Sequence, residues 1–400
     1  MARALELGRR GLNTSTPNPS VGCVIVRDGE VVGEGFHAVA GQPHAEPLAL
    51  QHAGDKARGA EMFLTLEPCS HHGRTPPCVD AVIAAGVRKV WAATQDPNPK
   101  VCGRGLAKLR EAGIEVDVGL MQAEALALHR GFISRMTRGR PFTSLKLAMS
   151  LDGRTAMRSG ESQWLTSTGA RADVHRLRAQ AGAVLTSVET VLADDPQLNV
   201  RDWRAPHPGP LPASGEREKI RQSDIRQPDR IVLDTRLRSP VTAKVWAPGA
   251  RRIALTARPQ AEKADALRDA GVEVVELPTS HERVDLGAAM AALGRLEVNE
   301  ILVESGPRLA GALLQEGLVD ELVVYMAPSL LGDEARPLAA LPGLSQLEQR
   351  VRLRYTDVAT IGPDIRITAS CHPERSEGSR SGRSALRNAV PRRFAPRDDN

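Results

Sequence analysis

His44 and Glu46 stand two positions apart in "HAEPLALQHA", where helical character begins, and the chain later reads "LEPCSHHGRTPPCVDAV", which supplies Cys69 and Cys78. One imidazole and two thiols make three donors, the number that catalytic zinc sites take from the protein while keeping a fourth position open. Cys78 falls at the expected N-terminus of a helix, where the helix dipole favours thiolate over thiol. Glu46 is not needed as a ligand and is free to take a proton from an attacking water and hand it to a departing amine. Each piece alone is ordinary, since a His-x-Glu pair on a helix is usually surface decoration and a Pro-Cys pair is usually structural. Occurring together in this order, they point to zinc-assisted hydrolytic removal of an amino group from a base. A purely structural zinc would want a fourth ligand, for which His71 or His72 could serve.

The two cysteines are separated by the eight residues "SHHGRTPP", whereas zinc deaminases of cytidine and of tRNA adenosine carry Cys-x-x-Cys. This longer loop, with two His and one Arg, would sit beside the metal and could contact a phosphate or a sugar. Two rival functions follow from the same residues. A tRNA-editing deaminase would need a basic recognition surface, and a metal-stabilised assembly protein would keep its zinc and release no ammonia.

The elements that must position these groups alternate between strand and helix. "VGCVIVRDGEVVGEGFH" reads as a hairpin turning at Asp28-Gly29, a strong short-range hairpin signal. A helix "HAEPLALQHAG" follows, in which Pro47 is tolerable because it falls in the first turn, where its missing N–H costs nothing. Next come the strand "AEMFLTLEPC", the helix "CVDAVIAAGV", the strand "KVWAATQDP", the helix "GLAKLREAG" and the strand "IEVDVGL". A second α/β series opens with "FTSLKLAMSLDG" after Pro141 and continues through the strands "AGAVLTS", "DRIVLDT", "RRIALTA", "EILVES" and "ELVVYMAP", with helices such as "GARADVHRLRAQ" between them. Such alternation predicts two layered α/β domains, 1–140 and 141–370. Residues 205–229, rich in Pro, Gly and charge, read as a disordered insertion, and 371–400 as a disordered basic tail; both look like additions to a finished enzyme.

Composition narrows the function classes. The net charge is +5, but the last thirty residues hold seven Arg against four Asp and Glu, which leaves the body near +2. Only eleven aromatic residues are present, thin material for base-stacking platforms, so no nucleic-acid partner is expected. No apolar run is long enough to cross a bilayer, and no membrane partner is expected. Five cysteines (Cys23, Cys69, Cys78, Cys102, Cys371) are too few and too odd in number for a disulfide framework and fit a reducing, cytoplasmic setting. Cys23, Cys102 and Cys371 are read as buried hydrophobes or tail residues.

The strings "TPNPSVGCVIV", "GEGFH", "HAEPLAL", "LEPCSHHGRTPPC", "QDPNPKVCGRG" and "GFISRM" resemble the deaminase half of the bifunctional riboflavin-biosynthesis deaminase/reductase family. "LKLAMSLDGRTAMRSGESQWLTS", "HRLRAQAGAVLTSVETVLADDPQL", "LVESGPRLAGALL" and "GLVDELVVYMAPSLLG" resemble its reductase half. The resemblance implies an N-terminal cytidine-deaminase-like three-layer domain and a C-terminal dihydrofolate-reductase-like α/β domain. The first would hydrolyse an amino group from a diaminopyrimidinone carrying a phosphoribosylamino group. The second would use NADPH to reduce the ribosyl group to a ribityl chain. By motif, His44, Cys69 and Cys78 would hold one zinc ion, Glu46 would shuttle the proton, and Asn18 would orient the pyrimidine. Ala148, Trp164, Thr190, Asp194, Thr235 and the run Gly306, Pro307, Arg308, Leu309, Ala310, Gly311 and Ala312 would contact NADPH. Ser162, Arg178, Leu198, Arg201 and Glu304 would contact the phosphoribosyl substrate. A homo-oligomer, a dimer or higher, is also implied.

Bottom-up support for the second site is thinner. No G-x-G-x-x-G follows a strand, so a Rossmann site is not indicated. "VLADDP" by itself reads as a strand or helix end turning through Asp-Asp-Pro, and Lys146 and Asp152 could be ion-paired structure. Three features depart from the family pattern: Pro47-Leu48, the Val188-Glu189 pair, which puts a carboxylate beside an anionic cofactor, and the insertion close to Arg201.

Overall fold

The structure, a computed structural model, describes residues 1–12, 14–71, 76–99, 101–201 and 226–371. The first half contains α1 (Ala2–Arg10), β1 (Gly22–Arg27), β2 (Glu30–Phe36), α2 (Ala45–Ala53), β3 (Glu61–Leu64), α3 (Cys78–Ala85), β4 (Lys89–Ala92), α4 (Arg104–Glu111), β5 (Glu115–Val118), α5 (Gln122–Leu128) and α6 (Arg130–Arg138). Its five strands form one sheet in the order β2-β1-β3-β4-β5. The hairpin turns where expected: Asp28 and Gly29 both adopt positive φ, 53° and 84°, the conformation a two-residue turn of this hand requires. Helix α2 lies close on β2 because Gly35 has no side chain; a Cβ there would come within 2.3 Å of the Ala45 carbonyl oxygen. That contact seats the N-terminus of α2, and with it His44 and Glu46.

The second half runs β6 (Phe142–Ser150), β7 (Arg154–Ala156), α7 (Thr168–Gln180), β8 (Ala183–Ser187), α8 (Val188–Asp194), β9 (Asp229–Leu233), β10 (Arg252–Thr256), α9 (Ala261–Asp269), β11 (Glu273–Glu276), β12 (Thr279–Ser280), β13 (Arg283–Val284), α10 (Leu286–Arg295), β14 (Glu300–Glu304), α11 (Pro307–Gln315), β15 (Glu321–Ala327), β16 (Arg336–Pro337), β17 (Arg354–Ile361) and β18 (Asp364–Ser370). Nine of these strands form one sheet, β11-β10-β9-β8-β14-β6-β15-β18-β17. It is parallel except where β18 pairs β15 and β17. The parallel strands are buried on both faces, so their sequences are continuously apolar. Ala183 and Leu185 pack with Ile231, Leu233, Ile253 and Leu255 on one side, while Val184, Val232 and Ala254 pack on the other.

The chain passes from one sheet to the other at Arg140-Pro141, and α6 makes the junction. Arg130 bridges Glu300 and Glu321, Arg135 bonds the Asn299 amide oxygen at 2.6 Å, and Arg138 and Arg140 both grip Asp320. Helix and sheet meet at Gly131, where a Cβ would lie 2.2 Å from Glu300 Cγ.

The expected insertion is shorter at its far end than 205–229. Arg226 donates to the Gly182 carbonyl, the Gln227 side chain exchanges hydrogen bonds with both backbone groups of Val200, and Asp229 opens β9. Residues 205–225 lie outside the described residues. So does 372–400, whereas Cys371 packs against the core and donates its backbone N–H to Asp320.

Candidate active sites

Two helix N-termini and one loop converge on the first site. His44 is the N-cap of α2, Cys78 is the first residue of α3, and Cys69 follows β3 by five residues. His44 Nδ1 lies 3.7 Å from Cys69 Sγ and 3.3 Å from Cys78 Sγ, and the three donor atoms all fall within 4.8 Å of one another. A tetrahedral ion bonded at about 2.0 to 2.3 Å separates its donors by roughly 3.3 to 3.8 Å, so the donor set fits zinc. The two thiols share a proton: hydrogen bonding from Cys78 pushes Cys69 down to about 4, while the Cys69 thiolate raises Cys78. A divalent cation among them favours both thiolates. His71 is outside this cluster, and among the described residues no fourth protein ligand joins it, as suits a catalytic site. His72 lies outside the described residues, as does most of the loop it belongs to.

Glu46 is 3% exposed, the second residue of α2 and two beyond His44, against the Cys78 thiol. Burial, followed by the charge of Cys69, raises its carboxyl above the ordinary value, which suits a group that must hold a proton in passing. Asn18 is fixed by a residue the sequence reading did not assign. Its amide nitrogen lies 3.0 Å from His37 Nε2, and His37 Nδ1 lies 3.1 Å from the Pro43 carbonyl oxygen. With its proton on Nδ1, His37 accepts from Asn18 and leaves the Asn18 oxygen to face a ligand. Glu67 is a second unassigned residue. Buried beside Cys69, it accepts from the backbone N–H groups of Asp96, Gly103, Gly105 and Leu106 and so ties the loop after β4 to the metal loop. Burial pushes the neighbouring Asp96 up to about 7, helped by the charges of Glu67 and Cys69.

Cys23, Cys102 and Cys371 take no part in the cluster. Cys23 is buried, Cys371 is half-buried, and Cys102 is exposed rather than a buried hydrophobe.

The second site is a cleft of about 2040 Å³ above the C-terminal ends of the parallel strands of the large sheet. Ligand pockets for one small molecule hold roughly 300 to 1,000 Å³, so this one has room for a dinucleotide and a substrate together. Ala148, Ser162, Trp164, Arg178, Thr190, Asp194, Leu198, Arg201, Thr235, Glu304 and Gly306 through Leu309 all line it, as does Ala312. Ala310 and Gly311 turn inward: Ala310 is fully buried, and a Cβ on Gly311 would come 1.7 Å from the Ala340 carbonyl oxygen. Gly306 caps α11 and Pro307 occupies its first turn, so the helix presents free backbone N–H groups to the cleft.

At the floor, Arg178 grips Glu304 through two hydrogen bonds of 2.6 and 2.9 Å. Burial pushes Glu304 up, but Arg178 holds its carboxyl below the usual range. Lys146 belongs to this cluster, and burial lowers it while Glu304 opposes the shift. Lys146 lines the same cleft. Asp152 is structural, since it caps a turn by accepting from Leu331 and Gly332 N–H groups. His175 receives the Arg201 backbone N–H at 3.2 Å and holds the loop carrying Leu198 and Arg201. "VLADDP" is the last turn of α8, ending at Asp195 with φ 41°. Glu189 lines the rim of the cleft, where it pairs with Arg238.

A metal site of one His and two Cys with a buried Glu, joined to a parallel-sheet cleft that takes a dinucleotide, defines a zinc deaminase fused to an NADPH-dependent reductase. The family model for the cytidine and deoxycytidylate deaminase zinc-binding region matches residues 1–94, and that for the RibD C-terminal domain matches residues 141–367. The chain belongs to the RibD family of riboflavin biosynthesis proteins. It is 52% identical over 373 residues to riboflavin biosynthesis protein RibD of Escherichia coli, covering 91% of this chain and 96% of that one. It is 46% identical to the RibD of Haemophilus influenzae, over 92% of this chain and 95% of the other. The solved structure of Acinetobacter baumannii RibD in form 1 superposes with a TM-score of 0.82 at 43% identity, covering 92% of this chain and 97% of its own. A diaminohydroxyphosphoribosylaminopyrimidine deaminase/5-amino-6-(5-phosphoribosylamino)uracil reductase from Thermotoga maritima gives a TM-score of 0.77 at 32% identity, with 92% and 97% covered.

Proposed function

We propose that residues 1–140 deaminate a diaminopyrimidinone carrying a phosphoribosylamino group and that residues 141–370 reduce the ribosyl group of the product with NADPH, as two consecutive steps of riboflavin biosynthesis. The observation that carries this reading is the convergence of His44, Cys69 and Cys78 beside the buried Glu46 in a chain whose other half holds a dinucleotide-sized cleft.

In the first step His44, Cys69 and Cys78 would hold zinc, which would supply Lewis-acid activation of water at neutral pH. Asn18, fixed by His37, orients the pyrimidine so that its amino-bearing carbon faces Glu46. Glu46 takes the proton of the attacking water and delivers it to the amine, which leaves as ammonia. In the second step Arg178, Arg201 and Ser162 bind the phosphoribosyl group near Glu304 and Lys146. Ala148, Trp164, Thr190, Asp194, Thr235 and the Gly306 turn would hold the cofactor, which would supply a hydride for C1′ of the ribosyl group. As the C1′–O4′ bond opens, Lys146, beside Glu304, is placed to give the proton that O4′ takes up.

Incubating the purified protein separately with the pyrimidine ribotide, cytidine and tRNA tests the substrate class. Ammonia from the ribotide alone is the expected result, and release from tRNA would move the protein to the editing class. Among the described residues no helix is long and apolar enough to cross a membrane. The unpaired thiols that must serve as ligands support a reducing cytoplasm. A homo-oligomer is supported by β17, an edge strand that exposes Tyr355 and Val358. Light scattering on Val358→Asp against the wild type checks it, a smaller mass in the variant being expected.

A further inference from the structure

The turn that carries Asn18 is held from the other half of the chain. It begins at Ser15, whose carbonyl accepts the Asn18 backbone N–H at 2.9 Å. The peptide group joining Pro17 to Asn18 is planar, so whatever holds its N–H and its carbonyl oxygen sets the direction in which the chain enters Asn18. The N–H is bound within the turn. The Pro17 carbonyl oxygen is bound from outside it, accepting from Asn299 Nδ2 at 2.8 Å and from Arg135 Nη2 at 3.2 Å. Arg135 belongs to α6, but Asn299 stands immediately before β14, a strand of the second sheet.

Asn299 is itself fixed. It is buried, its amide oxygen accepts from Arg135 Nε at 2.6 Å, and its backbone carbonyl accepts the Phe142 N–H at 2.8 Å, which ties it to the start of β6. A guanidinium on one side and a carbonyl on the other leave only one orientation for the amide, oxygen to Arg135 and nitrogen to Pro17. Gly182, just before β8, approaches the same turn, since a Cβ there would lie 3.5 Å from Thr16 Cγ2. Beside these contacts a small pocket of about 30 Å³ remains, with Ser15, Asn18, His129 and Asn299 in its wall. Close packing does not lock the turn on that side, so the hydrogen bonds to the Pro17 carbonyl carry its position.

We propose that Asn299 is a positioning residue for deamination: by holding the Pro17 carbonyl it sets Asn18, and the second half of the chain thereby completes the substrate site of the first. The inference rests on the reading of Asn18 as the group that orients the pyrimidine. Freeing the turn leaves Glu46, His44, Cys69 and Cys78 on their own elements, so substrate binding rather than turnover should suffer.

The test follows ammonia release by the full-length, zinc-loaded protein at varied concentrations of the diaminopyrimidinone ribotide. Asn299→Asp keeps the size of the side chain and the acceptor for Arg135 but removes the donor to Pro17. It should raise KM by about tenfold, the worth of one buried hydrogen bond, and hold kcat within about twofold of the wild type. Asn299→Ala should raise KM in the same way. Zinc content, and NADPH oxidation when the deaminated ribotide is supplied directly, should match the wild type in both variants. Asn18→Ala should raise KM by itself, and adding Asn299→Asp to it should raise KM no further, because Asn299 acts through Asn18. A wild-type KM in both Asn299 variants, including one accompanied by the lower kcat of a poorly folded protein, overturns the inference while the reading of Asn18 stands. So do effects that combine in full in the double variant. A wild-type KM in Asn18→Ala overturns the reading of Asn18 and the inference with it.

Discussion

Glu46 is a carboxyl group deprived of water beside the thiols and the imidazole, and its proton is held more firmly than an ordinary carboxyl's first because of burial and then because of the charge of Cys69. Replacing it tests its role without disturbing the donor set: Glu46→Gln should retain stoichiometric zinc by metal analysis and lose deamination by about 100-fold or more. Near-normal turnover would remove Glu46 from the mechanism. Cys69→Ser should lose the metal and lower the stability of the first domain, because ligand binding and folding are coupled there. Full zinc content in that variant would refute the assignment. These four residues could be read from the sequence because both the ligand types and the order His-x-Glu, Pro-Cys, Cys are local. His37 and Glu67 could not. Their roles depend on Asn18 and on backbone N–H groups of a separate loop, which the fold brings to them across long separations in sequence.

Helix α6 fastens the two halves, and at its C-terminal end Asp320, 4% exposed, lies between Arg138 and Arg140 and accepts the Thr143 N–H. Burial pushes Asp320 up, but the two guanidinium groups hold it below the usual carboxylate range. Asp320→Ala leaves two partly buried cations unpaired and should cost about 3 kcal/mol in denaturant unfolding; a cost below about 1 kcal/mol would mean that solvent already screens the contact. His129 joins α5 to α6, fully enclosed and bonded to Thr65 at 3.2 Å, and burial pushes its imidazole down to about 4. The unfolded chain takes up this proton near pH 6.5 and the folded protein does not until about 4. Stability is therefore complete above pH 6.5 and falls as pH drops towards 4, by at most about 1.4 kcal/mol per pH unit. His129→Gln should flatten that slope between pH 6 and 4.5 in urea titrations, and an unchanged slope would clear His129 of the effect. The central helices and buried strands were legible from periodicity and from unbroken apolar runs. The hairpin of β17 and β18 was not: β17 is exposed along most of its length and lacks the alternation that marks a half-buried strand.

At the scale of the molecule, one chain carries a hydrolytic site and a hydride-transfer site on separate sheets, joined by the ion pairs of α6. The chain crosses from one sheet to the other at Arg140-Pro141, where the apolar pattern of the sequence restarts. The far limit of the insertion was not legible in the sequence, because the Gln227 contact that ends it is made with Val200, on the other side of the excursion. Two sites on one chain require an order of events, since the reductase cleft must receive what the zinc site releases. The direct test is to give the purified full-length protein the diaminopyrimidinone ribotide and follow ammonia and NADPH absorbance together, with and without NADPH. Ammonia release in the absence of NADPH, with NADPH oxidation appearing only after deamination has begun, is the predicted result. NADPH consumption that precedes ammonia, or ammonia with no NADPH consumption at all, would contradict it.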